Sequence, residues 1–125
     1  MRASIWLLPL LLVGAPATAQ ATALTTDDQI RQAIVGNTMA GEDEGENFSE
    51  YYNPDGRILG ERRAGRYTGH WHIAGAQMCV RYADDDGKES VWECSRIDVD
   101  GNKVTWSDEE DKAIFTLTPG NPGKF

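Results

Sequence analysis

The sequence predicts a mainly β fold, an antiparallel meander of seven to eight strands forming a small barrel, with one short N-terminal helix. Three observations carry this. Beyond residue 36 the apolar residues recur with period two, the pattern of half-buried strands. Turn chemistry interrupts that pattern at NPDG (53–56), RAG (63–65), AGA (74–76), DDDGK (84–88), DVDGN (98–102) and SDEED (107–111). The breaks fall about ten residues apart, the cadence of consecutive short strands. No interval is long enough for the crossover helix that a parallel sheet requires. Closure into a barrel removes the exposed edges such a meander would otherwise carry.

Taken in order, residues 1–19 have the form of a secretory signal peptide. Arg2 supplies the positive start, Ile5 to Val13 the apolar run, and Ala17-Thr18-Ala19 a small-x-small cleavage site. The run is shorter than the ~20 residues a membrane-spanning helix needs, so no span is expected after cleavage. Residues 20–125 then form a single disulfide-stapled domain. In TTDDQIRQAIVGN, Thr26 is a good N-cap with Gln29 three positions on, and Asp27 and Asp28 sit where the helix dipole favours acids. Ile30, Ala33 and Ile34 make one apolar face, and Gly36 can end the helix in the left-handed conformation. This helix is expected to pack across the sheet or plug one end of the barrel.

Strands are expected near 48–53, 57–62, 66–74, 77–83, 90–98, 103–107 and 112–117, with a further one near 38–41. A two-residue turn at Gly75-Ala76 sets His70 opposite Arg81, Trp71 opposite Val80, His72 opposite Cys79 and Ile73 opposite Met78. A type I′ turn at Asp86-Gly87 sets Cys79 opposite Cys94, Arg81 opposite Trp92 and Tyr82 opposite Val91. Two cysteines in an exported chain have only each other, and directly opposed strand positions suit a disulfide, here as a hydrogen-bonded pair. One face then holds Gly69, Trp71, Ile73, Met78, Val80, Tyr82, Val91 and Ile97 as core. The other holds His70, His72, Arg81, Trp92 and Arg96, with Trp92 placed for cation–π contact. Glu93 points with the core face and belongs near the barrel rim.

The charge balance, 12 basic against 20 acidic residues for a net −8, repels phosphate backbones and argues against nucleic-acid binding. The acids cluster as EDEGE (42–46), DDD (84–86) and DEED (108–111), which read as solvated loops. The chain carries no GxSxG, HExxH or phosphate-cradling glycine loop. Asp98, Asp100, Asn102 and Glu109 superficially match a calcium loop, but Lys103 stands where that loop needs glycine. His70 and His72 are weak metal or haem candidates that lack a third ligand, and no cofactor is expected. The reading is a non-catalytic, monomeric binding domain, periplasmic or secreted, recognising another exported protein or a small ligand. Its candidate contact residues are His70, Arg81, Trp92 and Arg96, or Arg62, Arg63 and Arg66 at the mouth. The alternative is a small periplasmic enzyme working through the barrel carboxylate Glu93.

GNTMAG (36–41), YYNPDGRILG (51–60), GHWHIAG (69–75), the two cysteines, DG (100–101) and PGNPG (119–123) together resemble a pattern in small exported bacterial proteins of unknown function. The resemblance implies an exported, compact β-rich domain and assigns no catalytic residue. In architecture the expected barrel is similar to calycin-type, lipocalin-like barrels and to periplasmic lysozyme inhibitors.

Overall fold

The computed structural model describes residues 21–125 together with Gly14; the rest of residues 1–20, where a signal peptide is expected, lies outside the described residues. In chain order the elements are β1 (Thr22–Ala23), α1 (Asp27–Ile34), β2 (Asn37–Asp43), β3 (Glu46–Tyr52), β4 (Arg57–Arg62), β5 (Gly65–Ala74), β6 (Gln77–Tyr82), β7 (Glu93–Asp100), β8 (Lys103–Ser107) and β9 (Lys112–Pro119). Strands β2 to β9 each pair antiparallel with their sequence neighbours, and β9 pairs back onto β2 to close an eight-stranded barrel. β1 is the extra strand. It takes over the edge of β7 where β6 ends, pairing Thr22 with Val99 and Ala23 with Asp98.

Helix α1 plugs one end of this barrel. Thr26 caps it by accepting the Gln29 N–H at 3.2 Å, while the Gln29 side chain accepts from the Thr25 N–H at 2.8 Å. Gly36, at φ 80°, supplies the left-handed exit. Ile30 and Ile34 are fully buried, and Asp27 Oδ1 accepts from the Ala76 N–H at 2.7 Å. That bond pins the start of the helix to the β5–β6 turn. The apolar end of the barrel packs beneath it around Met39, Tyr52, Ile58, Trp71, Met78, Ile97 and Val104. Among the described residues no helix is long and apolar enough to cross a membrane.

The β5–β6 register agrees with expectation pair for pair, from His70↔Arg81 to Ile73↔Met78, around a turn with Gly75 and Ala76 both at positive φ. The β6–β7 connection differs. Asp84 and Lys88 close a longer loop, and an isolated bridge joins Ala83 to Glu89. Ser90 N–H then donates to the Tyr82 carbonyl, whereas Val80 faces Glu93 and Cys79 faces Cys94. One extra residue is therefore inserted at Val91-Trp92, a bulge that restores the cysteine register the shorter turn had predicted. The inserted residue also changes the pairing phase. The Cys79 and Cys94 Cα atoms stand 4.0 Å apart, the close spacing of a non-hydrogen-bonded pair and not the wider kind expected. Val91, expected in the core, is 80% exposed because the bulge turns it outward.

Smaller corrections follow the hairpins. The EDEGE run is not a free loop: Asp43 pairs with Glu46 and the Glu44-Gly45 turn, both at positive φ, joins β2 to β3. The expected strand at 112–117 continues to Pro119, held by Thr38 Oγ1–H donating to the Gly120 carbonyl at 2.7 Å. Asp98 and Asp100 lie in β7, and Gly101-Asn102 forms the turn between the Asp100 and Lys103 pair.

Candidate functional site

The barrel is filled at the helix end and open at the other. A cavity of about 440 Å³ enters between the β2–β3, β6–β7 and β8–β9 connections, within the size range of small-molecule sites. Its walls are aromatic and apolar: Phe48, Tyr67, Val80, Tyr82, Trp106 and Phe115. Three inward glycines make room for the rings. Gly60 pairs with Tyr67 and Gly69 with Tyr82 across neighbouring strands, and Gly41 lies beneath Phe115. A Cβ on Gly60 or Gly41 would collide with the facing ring, and on Gly69 with the Arg81 carbonyl and the Tyr82 ring. Each ring thus lies over a glycine, covering backbone that would otherwise be bare.

At the deep end stands Glu50, a carboxylic acid only 4% exposed. In ENFSEYY the period of two sends Phe48, Glu50 and Tyr52 inward together. Glu50 Oε1 accepts from Tyr52 Oη at 2.5 Å and Tyr82 Oη at 2.9 Å, and Oε2 from Tyr67 Oη at 2.7 Å. Three phenols from β3, β5 and β6 thus replace the water the carboxylate lost. Burial nonetheless raises the Glu50 pKa above its ordinary value; the three tyrosine bonds pull against that rise and the nearby Asp43 carboxylate adds to it. Burial, then the Glu50 charge, raises all three tyrosine pKa values. Among the described residues no Lys or Arg forms an ion pair with Glu50, whereas Asp55 and Glu89 do find cations.

The mouth is acidic. Asp43, Glu44, Glu46, Glu93, Asp108 and Asp111 line it, against a single cation among the described residues, Arg62, whose guanidinium sits 5.2 Å over the Tyr67 ring. Glu93 is at the rim, as expected, and exposed. Of the other candidate mouth residues, Arg66 stacks 5.6 Å over Phe125 beside an outer depression that Arg62 also lines. Arg63 is exposed and lines neither recess.

The outer face assembles His70, His72, Arg81 and Trp92 around a residue that sequence reasoning missed, Glu89. Glu89 Oε1 lies 2.7 Å from His70 Nδ1 and Oε2 lies 2.8 Å from Arg81 Nη2. The Arg81 guanidinium lies 4.5 Å over Trp92, and the His72 ring meets Trp92 edge-on at 4.3 Å. Arg81 Nε is buried with no hydrogen-bond partner. Arg96 stands apart on β7, exposed and opposite Ser107. His70 is thus engaged by Glu89 and His72 by Trp92. Among the described residues no group of three His, Cys, Asp or Glu side chains is placed to hold a metal ion.

Glu89 escaped notice because a two-residue turn would have spent it on the hairpin; the longer loop brings it back across Ala83. Glu50 did carry a signal, an acid in a strand whose alternate neighbours are Phe48 and Tyr52. No protein-family model, curated protein or solved structure matches the chain.

Proposed function

We propose that this chain is an exported, non-catalytic barrel that binds a small ligand inside its open end. The observation that carries the reading is the cavity itself, closed below by α1 and the apolar core and open to solvent at its mouth. A packed interior would have left only the outer surface for recognition. The outer patch, by contrast, is largely engaged within itself through Glu89 and Trp92, so it serves to brace the bulge and the disulfide beneath it. Export is supported by the signal-like residues 1–19 and by the Cys79–Cys94 disulfide, a bond kept in oxidising compartments. The resemblance to small exported bacterial proteins points the same way.

The test uses a neutral aromatic dye, N-phenyl-1-naphthylamine, whose emission rises in apolar surroundings. It should bind the wild type saturably. Ala113→Trp, which puts bulk into the cavity wall, should weaken binding at least tenfold while leaving the circular dichroism spectrum unchanged. Trp92→Ala should leave dye binding unchanged. Loss of binding in Trp92→Ala, with Ala113→Trp unaffected, would move the site to the outer face.

A further inference from the structure

We infer that the ligand is a protonated organic amine, its ammonium group seated against Glu50 and its apolar body against the surrounding rings. The inference rests on the cavity being the binding site and adds the chemistry of what it takes. Its first support is the hydrogen-bond count at Glu50. A carboxylate offers about four lone-pair sites; Oε1 uses two on Tyr52 and Tyr82, and Oε2 uses one on Tyr67. One acceptor position on Oε2 is left for an incoming N–H. The phenolic hydroxyls are spent on Glu50, so the tyrosines can offer a ligand little beyond their ring faces.

The second support is charge. A buried carboxylate without a cation is costly even when hydrogen-bonded, and a ligand ammonium would supply the missing partner. The groups around Glu50 among the described residues are of three kinds: phenols that donate to it and favour its charged form, carboxylates that oppose that form, and one guanidinium. They are Asp43 on β2, Tyr52 on its own strand, Tyr67 on β5, Tyr82 on β6, Glu93 on β7 and Asp108 after β8, against Arg62 on β4. Arg62 is directed at the Tyr67 ring and is exposed. An acidic mouth on an apolar-walled cleft focuses potential and concentrates cations, and aromatic faces add cation–π attraction to an ammonium that has left water. A carboxylate or phosphate ligand would meet repulsion at the rim and again at the floor.

The experiment compares three probes of one shape by calorimetry on the full mature protein: 2-phenylethylamine, 2-phenylethanol and 3-phenylpropionate. The amine should bind at least tenfold tighter than the alcohol, and the propionate should bind weakest. Amine binding should release protons at acid pH, read from buffers of different ionisation heat, because an incoming cation ionises Glu50. Glu50→Gln should bring amine and alcohol to similar affinity. Should that variant not fold, proton release in the wild type decides. Equal affinity for amine and alcohol, tighter binding of the propionate, or amine binding without proton release overturns the inference. With the neutral dye still bound, those results leave the cavity reading standing. Failure of both the dye and the amine to bind removes both.

Discussion

Glu50 is the residue on which most of the chemistry turns, and it has a consequence for stability. Its carboxyl pKa is raised from 4.5 in the folded chain, chiefly by burial. Between the unfolded and folded values the native state holds the extra proton, so stability falls as pH rises through that window. Asp55 and Asp108 act in the opposite sense. Backbone hydrogen bonds lower both from 3.8, so what they contribute is lost only as pH falls further. Denaturant midpoints measured from pH 4 to 7 should therefore decline for the wild type relative to Glu50→Gln. Parallel curves would show that Glu50 titrates as an ordinary surface acid. Sequence alone placed Tyr82 and Trp71 inward correctly but passed over Glu50. Periodicity reports which face a residue takes, whereas two of its three phenol partners, Tyr67 and Tyr82, come from strands 17 and 32 residues away.

At the scale of elements, the β6–β7 hairpin shows both the reach of sequence reasoning and its limit. The Cys79–Cys94 pairing was legible because one cysteine lies on either side of an Asp-Gly turn signal. The pairing holds by a different route, a longer loop whose offset is cancelled by the bulge at Val91-Trp92. Local turn propensity could not report that Ser90 would bond both ways across to Tyr82. The β5–β6 register was fully legible, because Gly75 and Ala76 close a tight turn and the alternating strand beyond them admits one register. The disulfide spans a separation of 15 residues, for which the chain-entropy account gives about 3 kcal/mol. Reduction should lower stability by up to that amount, seen as a fall in Tm under dithiothreitol. An unchanged Tm would mean that the bulge and the Glu89 bridges hold the hairpin unaided.

Seen whole, the molecule divides along its barrel axis. One end is stapled by α1 and packed with Ile, Met and Trp side chains. The other is left hollow by glycines facing aromatic rings, and is ringed with carboxylates. Two of the acidic runs that looked like solubilising loops, those at 42–46 and 108–111, thus also line the mouth of the cavity, which no count of net charge could have shown. The barrel class was readable from turn spacing and period two; the cavity was not, since it depends on which inward positions carry glycine opposite tyrosine or phenylalanine. The most direct test of the account follows the Glu50 carboxyl by carbon-13 NMR, assigned by the signal lost in Glu50→Gln, with and without 2-phenylethylamine. The account predicts a titration midpoint above 4.5 in the free protein that moves downward when the amine is added. A midpoint at the ordinary carboxylate value, or one that the amine does not move, would contradict it.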